Sequence, residues 1–378
     1  MTALRDQISA AMDLVDQPIA RAFSLPAPFY TDPAIFELER KALFLSDWVL
    51  ACRADQVAQP GDYHTLNTAG GPVIVIHGHD GTVRAFANVC RHRGSILLEG
   101  VGRCTRIVCP YHAWSYHTDG RLASAPDMES TLNFNADGNG LIPLGMETWA
   151  GFIFVTYNEN PTPLRTHLGD FPDRMASHRL DDMRHVWSTH IPCACNWKLL
   201  LENAMETYHT GLVHRDTVGT QTSRDIETIG EWLCIQVMSG RSIATLPDAP
   251  PPFPIINGLD DEARKGTYFT IILPTCQLVM AQDCLWWLNV VPIAVDKSIL
   301  EISGCFPEDT IKLPNFDALA APYFERWEKV GHEDVGILER QQRGLGSVLH
   351  QPGRLSHRDE QVRALNLWVL KKLQGHTP

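Results

Sequence analysis

The spacing of apolar positions changes three times along this chain. Near the N-terminus Ile35, Leu38, Ala42 and Leu43 return at mostly three- and four-residue steps, which predicts a helix over residues 33–44. Asp32 supplies its N-cap and Pro33 its first helical position. From about residue 46 to 157 the pattern shortens to β segments parted by Gly-rich turns. Residues 72–77 form a mostly apolar run of strand length, and Gly78-His79-Asp80-Gly81 turns it back into residues 82–86, a predicted hairpin. Residues 151–157 read as the last strand of this block. Pro161 and Pro163 mark a boundary. Beyond it, helical patterns alternate with longer strands, of which residues 268–273, 285–291 and 300–304 are expected to lie antiparallel. The prolines between Pro247 and Pro254 predict a loop, and two helices, one from near Asp317 and one over residues 356–373, close the chain. The expected fold class is α+β: an extension at 1–45, an all-β domain at 46–157 and an antiparallel-sheet domain at 158–378.

Composition narrows the class without changing this layout. Hydrophobic residues make up 44% and charged residues 20%, ordinary for a globular protein. A net charge of -12 argues against nucleic acid or an anionic membrane as partner. No apolar run reaches the eighteen or so residues of a membrane span, and the first residues carry early acids and no signal-peptide core. The ten cysteines therefore read as reduced thiols of a cytoplasmic protein, with Cys234, Cys276 and Cys284 as small buried hydrophobes.

Two constellations carry chemistry. The first is Cys90-Arg91-His92-Arg93-Gly94 with Cys109-Pro110-Tyr111-His112, each half giving one Cys and one His. Zinc fingers pair like ligands, two Cys in one half and two His in the other. The mixed halves here, with their flanking Gly and Pro, look like a Rieske [2Fe–2S] ligand set, in which the Cys hold one iron and the His the other. The second runs from Asn196 to His214. On a continuous helix Glu202, Glu206 and His209 would share one face, while His214 would sit about 140° away unless the chain breaks at Gly211. Two His and one carboxylate with open positions make the non-haem Fe(II) oxygenase arrangement. The carboxylate is expected from Asp334, at the opening of a helical segment. The plain alternative is an amphipathic helix with two ordinary histidines.

Together these motifs resemble the catalytic α subunit of a Rieske non-haem iron oxygenase over nearly the whole length. The resemblance implies a Rieske domain followed by a helix-grip (START-like) catalytic domain. It assigns Cys90, His92, Cys109 and His112 to the cluster and His209, His214 and Asp334 to mononuclear iron. It implies use of O₂ with electrons from a separate NAD(P)H-dependent reductase, directly or through a ferredoxin. It also implies a head-to-tail homotrimer, because in this family a carboxylate three residues before the first iron His bridges to a cluster His of a neighbouring subunit. That position is Glu206, facing His112 of the partner subunit. Most ring-hydroxylating members have Asp there. Glu, and Gln341-Gln342-Arg343-Gly344, resemble the branch that oxidises quaternary ammonium compounds such as carnitine, glycine betaine and stachydrine. The implied reaction is N-demethylation or C–H hydroxylation of a small methylated amine. Aromatic-ring hydroxylation or O-demethylation is the alternative, and a bare electron carrier or a ligand-binding helix-grip protein with a relic cluster stands behind both. A cationic substrate would want aromatic faces. Trp286 and Trp287 are adjacent on a strand, so only one can face a cavity; Asn203, Tyr208, Tyr268 and Phe269 are further candidates.

Overall fold

The computed structural model describes residues 2–376, so residue 1 and residues 377–378, the outer limits of the predicted segments, lie outside the described residues. The chain divides into two compact units, Phe44–Leu164 and Met1–Leu43 with Arg165–Pro378.

Short strands with tight turns build the Phe44–Leu164 unit. Strands β1 (Val49–Arg53), β10 (Phe152–Thr156) and β9 (Gly145–Trp149) form one antiparallel sheet. A second has the order β4 (Val83–Ala87), β3 (Gly71–His77), β2 (Asp62–Thr68) and β5 (Val101–Arg103), and a third contains β6 (Ile107–Val108), β7 (Ser115–Tyr116) and β8 (Leu122–Ser124). The predicted hairpin is β3–β4, with Val75 opposite Ala85. Its run of apolar residues is explained by burial on both faces. Val73 and Val75 join Ile153 and Val155 in one core, whereas Ile74 and Ile76 join Phe86, Trp114 and Tyr116 in another.

The other unit is organised on a seven-stranded antiparallel sheet. Its order is β11 (Met183–Cys193), β17 (Lys297–Pro307), β16 (Leu285–Ala294), β15 (Cys276–Met280), β14 (Gly266–Ile272), β13 (Trp232–Met238) and β12 (Ser223–Asp225). The three strands expected from the sequence are β14, β16 and β17, and β15 lies between the first two.

Helix α1 (Thr2–Val15) packs on α6 (Glu360–His376). Helix α2 (Pro33–Glu39) is capped by Asp32, whose carboxylate accepts from the Ala34 N–H at 2.8 Å, and continues into a π-helical turn, Arg40–Phe44. Helix α5 (Phe316–Leu345) buries Phe316, Ala320, Tyr323, Trp327, Gly331, Val335, Leu338, Gln342 and Leu345, a stripe at three- and four-residue steps. Gly331 marks a close approach to the sheet: a Cβ there would lie 2.8 Å from Ile302 Cδ1 and 3.0 Å from Ile191 Cδ1. Helix α6 starts at Glu360 rather than at the expected residue 356, because the Asp359 carboxylate accepts from the Ser356 N–H and closes a turn there.

A buried polar network ties residues 30–39 to α3 (Trp197–Ala204) and α5. Lys198 Nζ lies 2.5 Å from Glu39 Oε1, both side chains fully buried, and Trp197 Nε1 donates to Glu39 Oε2 at 2.9 Å. Gln342 donates to the Tyr30 carbonyl and accepts from the Asn196 N–H, so this residue of the Gln341–Gly344 motif is a structural clamp. Tyr30 donates to Glu202 Oε1 at 2.7 Å. Burial pushes Glu202 up to about 7, against the opposing pull of Tyr30 and Lys198. An unfolded Glu titrates near 4.3, so between the two values the folded state holds a proton the unfolded state has released, and stability falls as pH rises through that window. The loss expected is ~4 kcal/mol at 1.36 kcal/mol per pKa unit. Glu202→Gln is expected to flatten this slope, with a higher melting temperature than the parent at pH 8 and a similar one at pH 4.5. Parallel slopes in the two proteins would exclude Glu202 as its source.

Candidate metal centres

The cysteine–histidine pairs sit on two loops, each closed by its own backbone. The Cys90 N–H donates to the Ser95 carbonyl and the Gly94 N–H to the Cys90 carbonyl, with Gly94 at φ +76°. The second loop repeats the plan: Cys109 N–H donates to Trp114 O, and Ala113 N–H to Cys109 O. Gly94 occupies the left-handed region where a side chain would be strained. Both thiols are buried in one core with Trp114 and Tyr116. Burial alone would raise the Cys109 thiol, but the N–H groups of Tyr111 and His112, with Cys90 and Ser95, bring it below its ordinary value.

The His92 and His112 rings lie 4.8 Å apart, and His92 stacks on Trp114 at 5.0 Å. Among the described residues His112 Nδ1 is buried with no hydrogen-bond partner, as an imidazole reserved for a metal would be. Two thiols and two imidazoles gathered in this way fit a Rieske cluster. Tyr116, which the sequence reading did not single out, accepts from the Arg91 N–H at 3.0 Å and lies 3.4 Å from Cys90 Sγ, placed to donate to that sulfur. Such hydrogen bonds help set a cluster's potential.

The second set begins where α3 ends. Asn196 caps the helix by accepting from the Lys198 N–H at 3.0 Å, but the helix stops at Ala204. The expectation of one continuous helix through Glu206 and His209 is therefore corrected. The Glu206 carboxylate accepts from the backbone N–H groups of Tyr208 and His209, satisfying them outside any helix. His209 then precedes the single turn α4 (Thr210–Val213), and His214 follows it. Asp334 comes from the middle of α5, not from the opening of a helix, three residues after the close approach at Gly331.

The three predicted ligands converge. Donor atoms of His209, His214 and Asp334 all lie within 4.8 Å of one another. Asp334 Oδ1 is 2.9 Å from His214 Nε2 and 3.6 Å from His209 Nε2, and it is buried without an aligned hydrogen-bond donor. Each imidazole is turned by a carboxylate on its far side. His209 Nδ1 lies 2.5 Å from Glu206 Oε1, and His214 Nδ1 lies 2.7 Å from Glu333 Oε2, which also accepts from Thr217 Oγ1 at 2.8 Å. Anchoring Nδ1 leaves both Nε2 atoms free to bind a cation. This donor set fits a divalent iron with open positions. Glu333 was missed in the sequence; being next to Asp334 was its only signal.

Beside these ligands is a cavity of about 90 Å³, far above the roughly 10–15 Å³ that one water requires. Its floor is one face of the sheet. Trp286 and Leu288 on β16, Phe269 on β14, Gln277 on β15 and Ile302 on β17 all line it, and their cross-strand pairing puts them on the same side. Asn203 lines it too. Trp287 does not: strand alternation turns it away, toward His185 at 5.6 Å. Tyr208 is exposed outside the cavity, with the Arg358 guanidinium over its ring, because the chain has left the helix by then. Tyr268 is likewise absent from the lining, one residue out of phase with Phe269. Arg326 and Trp327, which complete the wall from α5, were not anticipated.

Comparison with known proteins agrees with this geometry. Residues 180–375 match the family model described as the ring hydroxylating alpha subunit (catalytic domain), and residues 47–137 match the Rieske [2Fe-2S] domain. The glycine betaine monooxygenase oxygenase subunit of Chromohalobacter salexigens is 28% identical over 93% of this chain and 86% of its own. The crystal structure of the quaternary ammonium Rieske monooxygenase CntA in complex with L-carnitine superposes with a TM-score of 0.79 at 25% identity, covering 95% of this chain and 98% of that one. Naphthalene 1,2-dioxygenase from Rhodococcus shares the fold, with a TM-score of 0.79 at 18% identity over 100% of both chains.

Proposed function

We propose that this chain, which belongs to the ring hydroxylating alpha subunit family and carries a Rieske domain, oxidises a quaternary ammonium or other N-methylated amine. The observation that carries this reading is the His209–His214–Asp334 triad opening onto a cavity walled by Phe269, Trp286 and Trp327. Aromatic faces attract an alkylammonium group even after it sheds water, and relatives that act on glycine betaine and carnitine support the same class.

The cluster and the mononuclear iron, when bound, supply single electrons and O₂ activation. Cys90, His92, Cys109 and His112 would hold the first, and His209, His214 and Asp334 the second. Glu206 and Glu333 keep the two ligand imidazoles in one tautomer. The apolar sheet face excludes water and leaves the substrate's methyl groups pointing at the triad. Oxidation of an N-methyl C–H to C–OH, with the second oxygen atom leaving as water, gives a hydroxymethyl amine that falls apart to formaldehyde and the demethylated amine.

The electrons would come from a separate NAD(P)H-dependent reductase. We read the assembly as a homotrimer in which Glu206 meets His112 of the partner subunit. Exposed Tyr111 beside His112, and exposed Tyr208 beside Glu206, support these two surfaces as contacts between copies. Among the described residues no helix is long and apolar enough to cross a membrane. None of the ten cysteines is joined in a disulfide, which supports a reducing, cytoplasmic setting.

With a reductase and a panel of N-methylated amines, formaldehyde is expected to accumulate in step with demethylated product. No formaldehyde across the panel, with hydroxylation of an aromatic compound instead, would transfer the reading to ring hydroxylation.

A further inference from the structure

The cavity wall contains one group that the proposed reaction leaves unexplained. Arg326 on α5 lines the cavity and is only 4% exposed. It has no hydrogen bond or ion pair with any described residue, and its Nε is buried without a partner. Its guanidinium carbon lies 5.1 Å from the ring centroid of Trp286. Burial pulls its pKa down to about 10, with Asp334 and Glu333 pulling the other way from a distance. Neither carboxylate is available to it: Asp334 sits against both histidines and Glu333 is held by His214 and Thr217.

A guanidinium carries five N–H donors, and a buried charge is costly unless it is paired. No described residue pairs with it directly, so a bound anion would complete the site. Next to the guanidinium this charge opposes a bare cation, because two positive groups would share a water-poor space. A molecule with both an ammonium and a carboxylate removes this conflict, the carboxylate pairing with Arg326 in the planar fork geometry that guanidinium favours.

Resting on the N-methylated amine reading, we propose that Arg326 binds the carboxylate of the substrate and restricts the cavity to zwitterionic methylated amino acids. Arg326 and Asp334 are eight residues, or about 12 Å of axial rise, apart on the same helix.

The test uses full-length protein with both metal centres and reads ligand binding by calorimetry. The panel pairs each trimethylammonium carboxylate with its methyl ester and its alcohol, and adds carboxylates in which a neutral tert-butyl group replaces trimethylammonium. Carboxylates are expected to bind the parent about ten- to hundredfold more tightly than their esters or alcohols, the range typical of a hydrogen bond to a charged group. Arg326→Gln should erase that preference while iron content and circular dichroism stay unchanged, and Arg326→Lys should restore part of it. Equal binding of acids and esters to the parent, a preference that survives in Arg326→Gln, or no binding by any carboxylate would overturn the proposal. If the ammonium compounds bind but acid and ester do so equally, the carboxylate inference alone fails. If the tert-butyl acids bind with Arg326-dependent preference and the ammonium acids do not, the carboxylate site stands and the amine reading fails.

Discussion

Replacing Asp334 with Ala is expected to lower the iron content from three per chain to two, with the visible and paramagnetic signature of the Rieske cluster retained and product formation abolished. Asp334 Oδ1 lies 2.9 Å from His214 Nε2 and 3.6 Å from His209 Nε2. Without it, two neutral nitrogens would face each other across a space with no anion to neutralise a divalent cation. The loss of metal affinity should exceed the roughly 10–100-fold that removing an outer-shell partner costs. Glu333 cannot swing in as a substitute, being held by His214 and Thr217. Folding should be little affected, because Gly331, Val335 and Leu338 secure that stretch of α5. Iron analysis beside a cluster spectrum decides the matter. Three irons in the variant would place the mononuclear site elsewhere.

The second expected result is a contrast between two matched variants. Glu206 and Glu333 each hold the far nitrogen of one ligand histidine, at 2.5 and 2.7 Å. Glutamine at either position keeps a carbonyl oxygen that can accept that N–H, so both variants should retain three irons. If orientation were the whole role of Glu206, both would lose similar activity, about 10–100-fold by the usual cost of outer-shell changes. On the reading that Glu206 also joins His112 of the partner subunit, Glu206→Gln should fall well below Glu333→Gln in turnover. Its cluster should still be reduced by dithionite but become slow to pass electrons on in single turnover. Equal losses in the two variants would remove the intersubunit role from Glu206.

The parts of the site that were legible in the sequence were those whose chemistry is local. Mixed Cys–His pairs and the His209–His214 spacing announce their ligands because each pair is fixed by a few residues of loop. The break between α3 and α4 was not legible. It depends on Glu206 turning back to its own backbone, which competes with a helix that composition alone would favour. Asp334 does converge with the two histidines, but from the middle of its helix rather than from the expected opening. Its stripe of buried positions runs through Gly331, and a glycine reads as a break until the sheet it approaches is visible. The assignment of Trp286 over Trp287 needed the strand's facing, which alternation makes binary but does not decide. Arg326 and Glu333 were hidden for another reason. A charged residue on a long helix ordinarily reads as solvated surface, and only the packing of α5 turns these two inward.

The fully buried Lys198–Glu39 pair has a consequence for how the protein is made. Its members are 159 positions apart, and the whole of the Phe44–Leu164 unit is translated between them. At roughly 5–20 residues per second, Glu39 is added to the chain about 8–32 s before Lys198. During that interval the first forty residues have no sheet to join, while the cluster-bearing unit that follows is free to fold. The chain's beginning is thus among the last parts of the catalytic unit to find its place.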